Sequence, residues 1–203
     1  VLREDFRAAV AEILAEDAGD GAFDAARTTH EVIWPETALP GLRTTVFAGD
    51  ASLQIDAGFG DPLALPPRPL RVLGEGPVLG VCAETMFAWK THGLFEFGRG
   101  RWRAKDLYDL WLLDAHVAMD DAALLASMRV AFESRGTELS SAARFLETTE
   151  WGKSRGGRRR WSTFVRRAAL RAAPPSFEEV TARVRARLAP VFAELTRARS
   201  SSG

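Results

Sequence analysis

The sequence has one cysteine, Cys82, and no apolar run that approaches the roughly 20 residues needed to cross a bilayer. A lone cysteine excludes an internal disulfide and is typical of a reducing compartment. No stretch has the basic, apolar and small-residue layout of a secretory signal. These absences predict a cytoplasmic protein that has no membrane partner.

Several common catalytic signatures are also missing. The three histidines, His30, His92 and His116, show no metal-ligand spacing, so a zinc site is not predicted. There is no P-loop, no Rossmann glycine motif and no G-x-S-x-G motif. Any chemistry must therefore come from other residues.

The formal net charge is zero, yet the two ends of the chain differ. Eleven Asp/Glu and four Arg give residues 1–60 a net charge of −7, whereas thirteen Lys/Arg and three Glu give residues 151–203 a net charge of +10. This asymmetry points to a polyanion as partner.

Hydrophobic periodicity and turn residues predict a few strands followed by a run of helices, which is typical of an α+β fold with a small mixed sheet and a helical C-terminal part. Gly49-Asp50 favours a hairpin turn. A capping box, Ser176-x-x-Glu179, opens the last helix. The predicted elements are a helix over 1–17, strands over 22–29, 42–48, 51–57 and 70–73, and helices over 79–97, 104–118, 120–135 and 160–172.

Four charged residues fall where partial burial is expected. Asp56 lies on the polar face of a predicted strand, and is either a functional carboxylate or a solvent-facing one paired with an arginine. Lys90 is either a phosphate contact or a lysine at a helix edge. Asp106 and Asp109 share one helix face. They are either functional or part of a solvated helix start in which Lys105 pairs with Asp109.

The segment "WGKSRGGRRR" is predicted to be an exposed basic loop. A mobile basic loop flanked by tryptophans would follow phosphates and stack on an unpaired base, so we expect salt-sensitive RNA binding there. A solvated charged face is the alternative. The predicted nucleic-acid contacts are Lys153, Arg158, Arg159 and Arg160, with Trp151 and Trp161 at the edges.

Three segments, "LQIDAGFGDPL", "ETMFAWKTHGL" and "RWRAKDLYDLWLL", resemble the later motifs of the AbiEii/AbiGii-type nucleotidyltransferase toxins of the polymerase-β-like superfamily. The resemblance implies that residues 1–78 are the C-terminal portion of a nucleotidyltransferase core, and that 79–203 form a helical domain completing a cleft. It implies Mg²⁺, a nucleoside triphosphate substrate, an acceptor such as tRNA and a winged-helix antitoxin as partner.

The resemblance also assigns residues. Asp56 matches a metal-binding carboxylate of the superfamily, and Lys90 matches the nucleotide-contacting lysine. Asp106 matches the aspartate of the last motif, with Arg103 and Asp109 beside it as nucleotide contacts. We therefore expect Asp56, Lys90 and Asp106 to line one catalytic cleft.

The family's first motif, a Gly-Ser or Gly-Gly pair followed by Asp-x-Asp/Glu, is not found in these 203 residues. Two of the three metal-binding carboxylates are thus missing, and the start at Val1 favours a trimmed chain. We expect this chain to transfer no nucleotide by itself. A non-catalytic nucleotide- or nucleic-acid-binding remnant and a small-molecule nucleotidyltransferase are the alternatives.

Overall fold

A computed structural model divides the chain into two compact units, Val1–Asp61 and Pro62–Gly203, each with its own hydrophobic core. The predicted α+β fold class is confirmed, since strands and one helix form the first unit and helices dominate the second. The structure describes residues 2–17, 23–36, 39–71, 76–96, 102–147, 153–168, 170 and 174–200.

The first unit is a three-stranded antiparallel sheet, in the order β1-β2-β3, with a helix packed on one face. Val10 and Leu14 of the helix pack against Val46 of the central strand. Every second side chain of a strand points to the same side of the sheet, so one face of β2 packs against the helix. The elements are α1 (Leu2–Asp17), β1 (Asp24–Ile33), β2 (Gly41–Ala48) and β3 (Ala51–Ala57).

The predicted hairpin between β2 and β3 is confirmed, with Gly49-Asp50 at its turn. Gly49 has a φ of 58°, a left-handed conformation that glycine adopts without a steric penalty. The first strand starts two residues later than predicted and continues to Ile33. Strand β3, which carries Asp56, lies at an edge of the described sheet rather than at its centre.

In the part of the chain that the structure describes, the second unit is a two-stranded hairpin followed by six helices. Its core contains large side chains from α2, α3, α4 and α7 that are fully buried, among them Phe87, Leu110, Phe132 and Phe192. No helix in the described part of the chain is long and apolar enough to cross a membrane. The elements are β4 (Arg68–Arg71), β5 (Pro77–Gly80), α2 (Ala83–Glu96), α3 (Ala104–His116), α4 (Asp121–Glu133), α5 (Leu139–Glu147), α6 (Arg155–Arg167) and α7 (Phe177–Ser200).

Local sequence signals fix the starts of two helices. The Asp120 carboxylate accepts a hydrogen bond from the backbone of Ala123 at 2.8 Å and caps α4, as predicted. The capping box before α7 is also confirmed. The Ser176 hydroxyl accepts from the backbone of Glu179 at 3.2 Å, and the Glu179 carboxylate accepts from the backbone of Ser176 at 2.9 Å.

The predicted basic loop is wrong. Helix α6 begins at Arg155, five residues before the predicted start, and Ser154 caps it. Helix α6 runs through Gly156 and Gly157, and the lack of a side chain at Gly157 leaves room for the Phe177 ring, which would lie 2.6 Å from a Cβ there. Trp161 is buried and donates its indole hydrogen bond to the carbonyl of Pro175, so it is not a free stacking platform. Trp151 lies outside the described residues.

Candidate functional site

Asp56 is held by an arginine on the neighbouring strand. The antiparallel register places Arg43 of β2 directly opposite Asp56 of β3. The guanidinium donates to both carboxylate oxygens, at 2.8 and 2.9 Å, and Gln54 donates to Oδ1 at 3.2 Å. The hydrogen bonds from Arg43 hold the pKa of Asp56 below its ordinary value. This is the arginine-paired alternative for Asp56, realised as a bidentate ion pair.

The same register places Glu31 of β1 opposite Arg43 on its other side. The polar face of the sheet thus carries a row of charges that runs negative, positive, negative across the three strands. Arg43 forms direct hydrogen bonds with Asp56 and is also attracted by the charge of Glu31, and both interactions raise its pKa. The row explains how aspartate is accommodated in a strand, where it is disfavoured.

The implied Mg²⁺ does not fit this row as it stands. Both oxygens of Asp56 already accept from Arg43, and a metal ion would have to displace that guanidinium. Within the described residues no group of three or more His, Cys, Asp or Glu side chains could hold a metal ion. We therefore assign no chemical step to a metal in this chain.

A second group of charges joins helices α2 and α3. The ammonium group of Lys90 lies 2.8 Å from Oδ1 of Asp106 and 2.9 Å from Oδ2 of Asp109. Asp106 is nearly closed to solvent, with 3% of its side chain exposed, whereas Lys90 is 21% exposed. Burying one charge alone would be costly, but here each buried charge has a partner. The two aspartates share a helix face, as predicted.

Two further cations flank the aspartates. Arg103 donates to Oδ2 of Asp106 at 2.6 Å, and Lys105 donates to Oδ2 of Asp109 at 2.9 Å. We call Lys90, Arg103, Lys105, Asp106 and Asp109 the α2–α3 charge cluster. Its three cations and two carboxylates leave one net positive charge. The Lys105–Asp109 pair is the surface pair that the i,i+4 spacing predicted.

The cluster has unused hydrogen-bonding capacity. An ammonium group has three donors, and within the described residues Lys90 uses two of them. Asp109 receives both of its lysines on Oδ2, and its Oδ1 has no partner in that same part of the chain. Lys90 therefore has one donor left for a further acceptor.

The charge state of Lys90 follows from its surroundings. Burial lowers the pKa of Lys90, but its hydrogen bonds to Asp106 and Asp109 outweigh burial and hold the pKa above its ordinary value. Lys90 is therefore a cation at neutral pH.

The predicted nucleic-acid contacts on α6 divide into two groups. Arg158 forms an ion pair with Glu178 of α7. The Arg160 guanidinium lies 5.0 Å from the centre of the Trp102 ring and donates to the Trp102 carbonyl at 3.3 Å. Lys153 and Arg159 are exposed, with no ion-pair partner among the residues that the structure describes.

A protein-family model matches residues 1–183 of the chain. The family is described as "nucleotidyl transferase AbiEii toxin, type IV toxin–antitoxin system". The chain belongs to this AbiEii family. No curated protein and no solved structure gives a significant match. The family is that of nucleotidyltransferase toxins, so the substrate it implies is a nucleoside triphosphate and the partner it implies is an antitoxin.

Of the residues that the AbiEii resemblance assigned, the structure brings four into one connected cluster: Lys90, Arg103, Asp106 and Asp109. Asp56 belongs to the first unit, and its approach to Lys90 and Asp106 in one cleft remains a prediction. The sequence reasoning did not assign Lys105 to the site. The signal was present, because the cations Arg103 and Lys105 precede the carboxylates Asp106 and Asp109, at spacings of three and four residues.

Proposed function

We propose that the α2–α3 charge cluster binds the triphosphate of the nucleoside triphosphate, with Lys90 as the direct phosphate contact. One observation carries this proposal: Lys90 is fixed by two carboxylates and still has a donor to spare. A compact ammonium group suits phosphate oxygens. The single net positive charge of the cluster favours an anion over a cation as ligand.

The other members of the cluster support Lys90 in this proposal. Asp106, predicted to be catalytic, acts by fixing the Lys90 ammonium, because its own two oxygens are both occupied. Arg103 is 63% exposed on its side chain and adds a second cation beside the phosphates. Asp109, predicted to contact nucleotide, has Oδ1 available to accept from a sugar or base.

The resemblance gives Asp56 the role of a metal-binding carboxylate, and that role would require the Arg43 guanidinium to be displaced. One carboxylate cannot hold two Mg²⁺ ions in the geometry that nucleotidyl transfer requires. We therefore propose that residues 1–203 alone bind nucleotide without transferring it. Robust labelling of tRNA from a radiolabelled nucleoside triphosphate by this chain, lost in Asp56→Ala, would contradict that proposal.

For the acceptor we propose tRNA, bound through the outward face of α6. Arg155, Arg159 and Arg166 are spaced four and seven residues apart, which places them on one face, and all three are exposed. Helix α6 contains no acidic residue. A cationic helix face binds the phosphate backbone irrespective of sequence. The winged-helix fold of the antitoxin remains a prediction from the resemblance.

The test of the nucleotide site is a calorimetric titration of the chain with ATP, CTP, GTP and UTP. The parent should bind at least one of them, and Lys90→Met should weaken that binding at least about tenfold, since a hydrogen bond to a charged group is lost. Lys153→Met is the matched control, because it removes an exposed lysine from outside the cluster. Equal affinity of the parent and Lys90→Met would overturn the proposal.

A further inference from the structure

Asp109 is unusual within the cluster because one of its oxygens serves two lysines. Oδ2 lies 2.9 Å from Lys90 and 2.9 Å from Lys105. In Asp106, by contrast, each oxygen serves a different cation. The two lysines therefore compete for the same charge, whereas Lys90 and Arg103 do not compete for Asp106.

The two aspartates also differ in how easily they can release Lys90. Asp106 is almost fully enclosed, so breaking its pair with Lys90 would leave a buried carboxylate with Arg103 as its remaining ion-pair partner and no access to water. Asp109 is 24% exposed, and Lys105 remains bound to it if Lys90 moves away. A phosphate that draws the Lys90 ammonium toward itself would thus separate it from Asp109 and not from Asp106.

We infer that Lys105 is a positioning residue for nucleotide binding: it neutralises Asp109, so that the charge of Lys90 is available to a phosphate. The inference rests on the proposed function of Lys90. Arg103 likewise neutralises Asp106, but it binds Oδ2 whereas Lys90 binds Oδ1, so the two cations do not exchange on one oxygen. Lys105 binds the same Asp109 oxygen that Lys90 binds. Without Lys105, Lys90 would be the one cation of the cluster that pairs with Asp109.

A double-mutant cycle tests this role, because Lys105 is inferred to act through Asp109 and not on the ligand itself. The probe is inorganic tripolyphosphate, the chemistry that all nucleoside triphosphates share, titrated by calorimetry at fixed salt. Lys105→Ala should weaken binding about threefold to fivefold, the range of an exposed ion pair. In the Asp109→Asn background the same change should weaken binding less than about twofold.

Two controls separate this effect from others. Arg197→Ala removes a cation that is 70% exposed, the same value as Lys105, and that also pairs with a carboxylate of its own helix. It should leave tripolyphosphate affinity unchanged, which excludes a general effect of net charge. Lys105→Arg should retain the affinity of the parent, since it keeps the cation. Urea unfolding of Lys105→Ala and Lys105→Arg should match the parent, because the Lys105 side chain is 70% exposed.

The outcomes distinguish the inference from the proposed function. An equal loss from Lys105→Ala in both backgrounds would mean that Lys105 acts independently of Asp109, and would overturn the inference alone. No binding by the parent, or full binding by Lys90→Met, would overturn the proposed function and with it the inference. A loss confined to the background that retains Asp109 supports both.

Discussion

The carboxylate of Asp106 and the ammonium of Lys90 lie 2.8 Å apart, 16 residues from one another in the chain, and join helix α3 to helix α2. Their enclosure gives the contact two consequences. It holds the Lys90 ammonium against helix α3, and it places a charged pair inside the second unit. Both consequences can be measured.

Asp106→Asn should lower the free energy of unfolding by about 2 to 3 kcal/mol, since the change leaves a partly buried lysine without its enclosed partner. Asp109→Asn, at the more exposed position on the same helix face, should cost less than about 1 kcal/mol. Urea unfolding followed by tryptophan fluorescence measures both. Equal losses would show that burial of Asp106 does not govern the strength of the pair.

Glu84 should stabilise the start of helix α4 from a distance. Its carboxylate is buried and accepts a hydrogen bond from the backbone of Asp120 at 2.9 Å. Glu84→Ala should cost about 1 to 3 kcal/mol, because the backbone N–H of Asp120 loses its hydrogen bond to a charged acceptor. Glu84→Gln keeps an acceptor and should cost clearly less. The same unfolding assay decides, and identical losses for the two variants would rule out this capping role.

His92 should make the second unit sensitive to mild acid. Burial, aided by the charge of Arg135, lowers the pKa of His92 to about 4, and its ring packs edge-on against Phe132 at 5.3 Å. The unfolded chain takes up this proton near pH 6.5 and the folded chain does not. Stability is therefore complete above pH 6.5 and falls as the pH is lowered toward 4, by at most about 1.4 kcal/mol per pH unit.

The measurement for His92 is the urea midpoint between pH 7 and pH 5, above the range where most carboxylates take up protons. His92→Gln removes the titrating group and retains a polar contact for Thr137, which lies 2.7 Å from the imidazole. The variant should show a flatter pH profile over this window. A parent whose midpoint does not change between pH 7 and pH 5 would contradict the lowered pKa.

The outward arginines of α6 should dominate RNA binding. Replacing Arg155 and Arg159 by glutamine should weaken tRNA binding. The slope of log affinity against log salt should become shallower by the amount expected for about two lost phosphate contacts, and the free energy of unfolding should not change. Replacing Arg158 and Arg160 should instead affect stability, because these residues contact Glu178 and Trp102. Filter binding at several salt concentrations tests this, and an unchanged salt slope in the first variant would exclude this face as the RNA contact.

The elements that the sequence predicted well are those fixed by local signals. The β2–β3 hairpin follows from alternation and a glycine turn, and α4 follows from the Asp120 cap. Helix α6 was predicted incorrectly at its start because Gly156-Gly157 resembles a loop. The ring of Phe177, twenty residues away, leaves no space for a Cβ at Gly157, and no local pattern shows this reason for a glycine inside a helix.

The candidate site divides in the same way. The motifs identified Lys90 and Asp106 by residue type and spacing, and the i,i+4 rule anticipated Lys105 with Asp109. Which oxygen each cation uses depends on the packing of α2 against α3, and so the sharing of one Asp109 oxygen could not be predicted. The bidentate pair of Arg43 and Asp56 likewise depends on strand register, which the hairpin turn alone leaves open.

The enclosure of Lys90 also sets its reactivity as an amine. The sequence contains only three lysines, Lys90, Lys105 and Lys153, so reductive methylation with ¹³C-formaldehyde yields one resonance for each of them, plus the amino terminus. Lys105 is 70% exposed and should be modified early, whereas Lys90, with two donors engaged by carboxylates, should be modified last. A partially methylated sample thus contains an unmodified Lys90 and a ¹³C-methylated Lys105. The methyl resonance of Lys105 then reports on the edge of the α2–α3 charge cluster.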